Sequence, residues 1–197
     1  MLLSELARPT RHELIGRDVE VKELIYNSRK VKNGDVFCCI VGTFADGHKY
    51  AQQAVDAGAA ALVVERKLDI DVPQILVEDT RIAMAEMAAA YYGYPSREMQ
   101  MIGVTGTNGK TSTTYMLKAI AERMGKKVGL IGTIRNMIGD IIIDTERTTP
   151  ESVDLQRILR QMKDEKVDVV IMEVSSHSLD QKRVHGIEDD VGEFTNL

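Results

Sequence analysis

The sequence predicts an α/β protein of two successive units: a small N-terminal α/β domain, then a truncated P-loop domain built on a parallel sheet. Three observations predict it. Short apolar runs alternate with helix-periodic stretches along the chain, the pattern of parallel strands covered by helices. The turn-rich segment Gly93-Tyr94-Pro95-Ser96-Arg97 breaks that alternation between a helical stretch and a new apolar strand. Beyond the break, Gly103-Val104-Thr105-Gly106-Thr107-Asn108-Gly109-Lys110-Thr111 joins a strand to a helix, which is where a phosphate-binding loop belongs. The expected boundaries are 1–97 and 98–197.

In chain order, Val36 to Val41 reads as a buried strand and Tyr50 to Gly58 as a helix stopped by its glycine. Ala61 to Val64 and Gln74 to Val77 are further strands. Asp79 or Thr80 caps an Ala/Met-rich helix running to about Tyr92. In the second unit Met101 to Val104 is a strand, and a helix from about Lys110 carries Met116, Leu117, Ile120, Ala121 and Met124 on one face until Gly125. Val128 to Ile131 is the next strand, and Gly139-Asp140 before Ile141-Ile142-Ile143 suggests a hairpin arm. A helix follows with Leu155, Ile158, Leu159 and Met162 at spacings of three and four, then a strand from Val167 to Met172 closed by Glu173. The last residues, Phe194 to Leu197, look like the end of another strand; Gly192-Glu193 stands in it, and a glutamate in a buried strand is costly unless paired.

Composition narrows the class. The 197 residues are 44% hydrophobic and 28% charged, ordinary for a soluble globular chain. Lys plus Arg number 25 against 30 Asp plus Glu, a net charge of −5, which argues against a nucleic-acid partner. The longest stretch without a charge, Met99 to Gly109, falls well short of the ~20 apolar residues of a membrane span, and Glu5 comes too early for a signal peptide. No membrane partner is expected. Cys38 and Cys39 are adjacent. Neighbouring Cα atoms stand about 3.8 Å apart, less than a disulfide's ~4.4–6.8 Å, so the pair reads as buried reduced thiols of a cytoplasmic protein.

The phosphate loop carries the strongest chemistry. Its glycines let consecutive N–H groups converge on an anion, and the following helix adds the partial positive charge of its N-terminus. Lys110 would reach the β- and γ-phosphates, and the Thr111 hydroxyl would bind Mg²⁺. The strict pattern has glycine where this chain has Val104. No Asn-Lys-x-Asp guanine reader is present, which favours ATP over GTP. Such a site needs an acid at a neighbouring strand end, and Glu173 meets that need; the other reading of Glu173 is a solvated strand-end acid. By themselves Gln181 and Arg183 read as surface residues and Ser28-Arg29 as a turn.

Taken together, these segments resemble the Mur ligases, and within them the tripeptide-synthetase branch. Thr105-Gly106-Thr107-Asn108-Gly109-Lys110-Thr111 is the loop form of that superfamily, shared with folylpolyglutamate synthases and cyanophycin synthetase. Glu173-Val174-Ser175-Ser176-His177-Ser178-Leu179 and Thr148-Thr149-Pro150-Glu151-Ser152 are similar to that branch. Asn27 to Val31, Gly34 to Phe37 and Asp46-Gly47-His48 are similar to its UDP-binding domain. The resemblance implies an ATP- and Mg²⁺-dependent amide ligase of peptidoglycan precursor synthesis. It would join a diamino acid, meso-diaminopimelate or L-lysine, to UDP-MurNAc-L-Ala-D-Glu through an acyl phosphate, with Lys110 and Glu173 as catalytic residues. Thr105, Gly106, Thr107, Asn108, Gly109, Lys110 and Thr111 would bind ATP, and Thr111 and Glu173 the metal. Ser28, Thr148, Thr149, Ser175, Gln181 and Arg183 would bind the UDP-muramoyl substrate, with the loop from Gly42 to Asp46 against the nucleotide-sugar. His177 has three readings: orienting its loop, approaching the metal, or packing.

The family pattern continues past Thr195-Asn196-Leu197 into an Asp-His metal-binding segment, a carbamylated lysine and a C-terminal ligase domain, none of which lies within these residues. The expectation is therefore an N-terminal portion that binds substrates without turning them over. Two other readings stand beside it: a non-catalytic UDP-sugar- and nucleotide-binding module, and another superfamily ligase such as a folylpolyglutamate synthase.

Overall fold

The computed structural model describes residues 1–42, 45–143 and 148–196. The chain divides into two compact units, Met1–Tyr91 and Tyr92–Leu197.

The first unit contains α1 (Leu3–Ala7), β1 (Glu13–Ile15), β2 (Leu24–Ile25), β3 (Val36–Cys38), α2 (Ala51–Asp56), β4 (Ala61–Val64), β5 (Gln74–Leu76) and α3 (Thr80–Tyr91). Its sheet runs β1-β5-β4-β3-β2, with β2 to β5 parallel and β1 antiparallel on the edge, Leu14 opposite Ile75. All four residues of β4 are buried, as expected of a central strand covered on both faces. Phe37, Cys39, Ala51, Ala54, Leu62 and Val64 form one cluster, while α3 buries Ala83, Met84, Met87 and Ala88. Asp79, not Thr80, caps α3: its Oδ1 accepts the N–H groups of Arg81 (2.8 Å) and Ile82 (3.0 Å). Both cysteines are free and buried, and burial pushes the Cys39 thiol up to about 12.

The expected strand to Val41 ends earlier, at Cys38. The cause is Gly47, whose N–H bonds the Ile40 carbonyl at 2.9 Å and pulls the chain off the sheet. A Cβ at Gly47 would lie 2.7 Å from that same oxygen, so the close approach requires glycine.

The second unit contains β6 (Gln100–Thr105), α4 (Lys110–Arg123), β7 (Val128–Ile131), β8 (Asn136–Ile138), β9 (Ile141–Ile143), α5 (Ser152–Asp164), β10 (Val169–Glu173), α6 (Ser176–Asp180) and β11 (Val191–Phe194). The sheet order is β11-β6-β10-β7-β8-β9. The first four strands are parallel, and β8 and β9 form the expected antiparallel hairpin. On one face α5 buries Leu155, Ile158, Leu159 and Met162 against Met101, Val170 and Met172. On the other, Tyr115, Leu117 and Ala121 of α4 meet Val104, Leu130 and Ile171.

Two expectations are corrected here. The α4 face is rotated: Met116, Ile120 and Met124 are 58%, 57% and 72% exposed. The stripe that meets the sheet runs through Thr114, Leu117 and Ala121, at i, i+3 and i+7, so residues at i+2, i+6 and i+10 fall on its flank. In β11, Glu193 is exposed together with its three neighbours, because this strand is the sheet's edge, and the burial cost expected of it does not arise.

Candidate functional site

In a parallel sheet all strands end on the same side, and loops leaving those ends form the natural binding crevice. Here Thr105 ends β6, Ile131 ends β7 and Glu173 ends β10, so their following loops converge.

The loop after β6 turns through Gly106 at φ +135° and Gly109 at φ +86°, values that favour glycine. Gly109 is the N-cap of α4, which leaves the N–H groups of the first helical turn without intrahelical acceptors. Lys110 bends back over the loop, its Nζ donating to the carbonyls of Gly106 (2.6 Å) and Thr107 (3.2 Å).

Glu173 is 1% exposed, so it is not a solvated strand-end acid. Its carboxylate accepts the Thr111 hydroxyl (Oε2, 3.1 Å), the Thr133 hydroxyl (Oε2, 2.9 Å) and the Thr133 N–H (Oε1, 3.0 Å). Gly132 lines the same spot, and a Cβ there would lie 2.4 Å from Glu173 Oε1. A hydroxyl and a carboxylate on adjacent strand ends are hard oxygen donors. They suit a cation such as Mg²⁺, which takes one or two carboxylates and leaves its other positions to water and phosphate oxygens. Among the described residues no group of three or more His, Cys, Asp or Glu could hold a metal.

The loop from Thr148 joins the same crevice. Thr148 Oγ1 lies 3.1 Å from Thr133 Oγ1. The single Thr133 proton goes to the carboxylate, so Thr148 is the donor. Thr149 is buried and donates to the Glu173 backbone carbonyl at 2.9 Å. The Ser175 side chain caps α6 through the Ser178 N–H at 3.1 Å. Arg183 donates to the Thr149 carbonyl at 2.9 Å, bonds the Gln181 side chain, and pairs with Glu151 at 3.2 Å, with side chains 11% and 4% exposed. Arg183 and Gln181 are therefore built into the loop cluster and are not the free surface residues their own pattern suggested. His177 is exposed on α6, which excludes the packed reading.

In the first unit, Ser28 opens a one-turn 3-10 segment and its hydroxyl donates to Gln53 Oε1 at 3.2 Å. Of the loop from Gly42 to Asp46, residues 43–44 lie outside the described residues. Asp46 accepts from Arg66 (2.6 Å), and the Arg66 guanidinium holds its carboxyl well below the usual carboxylate range, with the N–H groups of His48 adding to the effect. The buried His48 ring lies between Asp46 Oδ1 (2.6 Å from Nδ1) and the Glu65 N–H, which Nε2 accepts at 3.0 Å. This fixes the neutral tautomer with the proton on Nδ1 and gives His48 a structural role.

The sequence pattern did not single out Thr133, and it offered Glu151 only within the Thr148-Thr149-Pro150-Glu151-Ser152 segment. Gly132-Thr133 directly follows an apolar strand, and that position at a parallel strand's C-terminal end was the available signal.

The family model for the Mur ligase family, catalytic domain, matches residues 20–92, and that for the Mur ligase middle domain matches residues 104–197. The UDP-N-acetylmuramoyl-L-alanyl-D-glutamate–2,6-diaminopimelate ligase of Clostridium botulinum is 52% identical over 183 residues, covering 90% of this chain and 38% of that protein. The ligase of the same name from Caldanaerobacter subterraneus is 48% identical, covering 100% of this chain and 42% of that protein. A solved structure of a ligase of that name superposes with a TM-score of 0.77 at 26% identity, over 90% of this chain and 36% of that one. The MurF ligase of Thermotoga maritima in complex with ADP shares the fold, with a TM-score of 0.58 at 22% identity over 89% of this chain and 38% of that one. The chain thus spans about two-fifths of the length of the curated relatives it matches. With both family models on its two halves and these relatives along nearly its whole length, the chain belongs to the Mur ligase family.

Proposed function

We propose that this chain carries the substrate- and nucleotide-binding units of an ATP-dependent ligase that adds a diamino acid to UDP-MurNAc-L-Ala-D-Glu. The division of labour would fall at residues 1–97 for the UDP-muramoyl substrate and 98–197 for ATP. The observation that carries the reading is the convergence of Thr111 and Glu173, a hydroxyl and a buried carboxylate 3.1 Å apart beside a glycine-rich loop. Relatives named for this ligation support the substrate.

Thr105, Gly106, Thr107, Asn108, Gly109, Lys110 and Thr111 would form the nucleotide site, with Lys110 leaving its loop carbonyls for the phosphates. Bound Mg²⁺ would offset charge on the transferring phosphoryl group, held by Thr111 and Glu173. Thr148, Thr149, Ser175, Gln181 and Arg183 would hold the muramoyl-peptide end, and Ser28 the uridine end. The side chains of Thr149, Gln181 and Arg183 are fixed by hydrogen bonds before any ligand arrives, which lowers the ordering cost of binding. Placing the D-Glu carboxylate beside the γ-phosphate is what this arrangement would contribute. His177, exposed on α6, would serve the loop or the metal.

The relatives named for ligation are longer than these 197 residues. For these 197 residues the activity to test is binding. Calorimetric titration with UDP-MurNAc-L-Ala-D-Glu, with a folate as control, is expected to give saturable binding of the first alone. Binding of the folate, or of neither, would contradict the reading.

A further inference from the structure

We infer that Thr195 and Asn196, immediately after β11, are positioning residues that clamp the phosphate loop into shape. β11 runs parallel beside β6 with Phe194 opposite Thr105, and the Thr195 N–H extends this pairing to the Thr105 carbonyl at 2.9 Å. Past that point Asn196 turns over the loop. Its backbone carbonyl accepts the Thr107 N–H at 3.2 Å. Its side chain grips Asn108 from both sides, Oδ1 accepting the N–H at 3.1 Å and Nδ2 donating to the carbonyl at 3.0 Å. The Thr195 hydroxyl stands 2.7 Å from the Asn108 carbonyl and 3.2 Å from that of Thr105, so its one proton goes to Asn108.

The approach is close. A Cβ on Gly106 would fall 2.2 Å from Thr195 Oγ1 and 3.0 Å from the Asn196 nitrogen. Gly106 is thus required twice, by its φ of +135° and by the strand end packed against it.

The clamp changes which groups can receive a phosphate. The N–H groups of Thr107 and Asn108 are spent on Asn196. An anion at this loop is left the N–H groups of the first turn of α4, Lys110, Thr111 and Ser112, together with the Lys110 ammonium. Thr195 and Asn196 act through the loop and are not placed among the groups that touch the nucleotide. The inference rests on the reading of this loop as a nucleotide site, and one of its two tests needs no nucleotide.

The experiment compares the 197-residue chain with N196A, T195V and T195S by amide hydrogen exchange and by ATP titration. In N196A the amides of Thr107 and Asn108 are expected to exchange about tenfold faster or more, and ATP affinity to fall by about tenfold, the scale of one or two lost hydrogen bonds. T195V should show a smaller loss and T195S, which keeps the hydroxyl, should match the parent. Affinity for the UDP-linked substrate should stay unchanged in all three, which general unfolding would not allow. Unchanged exchange at Thr107 and Asn108 overturns the clamp. Unchanged or tighter ATP binding with faster exchange also overturns it, the tighter case placing Asn196 where the anion binds. If the parent chain fails to bind ATP, the nucleotide reading fails, and the exchange rates still decide the clamp.

Discussion

The Thr133 backbone N–H and hydroxyl both bond the Glu173 carboxylate, at 3.0 Å to Oε1 and 2.9 Å to Oε2. The buried acid is therefore aimed by the end of the neighbouring strand as well as by Thr111, and through Thr133 it is linked to Thr148 ahead of α5. Thr133→Val keeps the N–H and removes the hydroxyl. Folding stability is expected to fall by about 1–3 kcal/mol, since the buried Glu173 carboxylate loses one of its donors. The Mg²⁺-dependent part of ATP affinity should fall with it. Denaturant titration and calorimetry check this, and a variant equal to the parent in both would break the link.

Gly132→Ala tests the same carboxylate by crowding. The added Cβ would stand 2.4 Å from Glu173 Oε1 and 3.1 Å from its Cδ. Glu173 is 1% exposed and has no solvent to move into. A loss of about 1–3 kcal/mol in stability is expected, as for other overpacked sites. Parental stability in a thermal melt would show that the carboxylate is held loosely.

Arg183 and Glu151 form a pair at 3.2 Å with both side chains largely buried. Breaking a largely buried pair by removing one partner costs about 3–5 kcal/mol. Arg183→Ala should therefore destabilise the second unit strongly, as read by urea unfolding. A loss below about 1 kcal/mol, the value of an exposed pair, would contradict the buried geometry.

Asp46 in the first unit gives a pH dependence with a defined sign. Arg66 lies 2.6 Å away and lowers its folded pKa. A depressed carboxylate contributes stability that is present above its unfolded value, about 3.9, and is lost as pH falls toward the folded value. Arg66→Gln should be less stable than the parent by a constant amount above about pH 5, and the gap should narrow below about pH 4. Urea unfolding across this range measures it. An equal gap at pH 3 and pH 7 would remove Asp46 as the cause.

What the sequence made legible follows from how local each signal is. The strands β4, β6, β7 and β10, the α5 face and the hairpin at Gly139 were readable because pattern and turn chemistry lie within one short window. β1 and β2, three and two residues long, are too short to show a period. α4 was placed correctly, but its inward face was misjudged: a wide apolar stripe does not say which edge meets the sheet, and the sheet chose Leu117 and Ala121 over Met116 and Ile120. Thr111 and Glu173 were expected together because the loop's chemistry demands an acid. Thr133, Glu151, Thr195 and Asn196 carried no such demand. Their partners lie 40, 32, 87 and 88 positions away in the chain, and only the strand order β11-β6-β10-β7 brings the strand-end residues side by side.

The most direct test of the proposed nucleotide site is ATP titration of this chain with and without Mg²⁺, beside Glu173→Gln. Mg²⁺ is expected to tighten ATP binding to the parent by about tenfold or more, the scale of one charge-assisted contact. Glu173→Gln should lose that gain while keeping the metal-free affinity, which depends on the N–H groups of the first turn of α4 and on Lys110. An equal Mg²⁺ gain in both proteins, or no ATP binding by the parent, would contradict it.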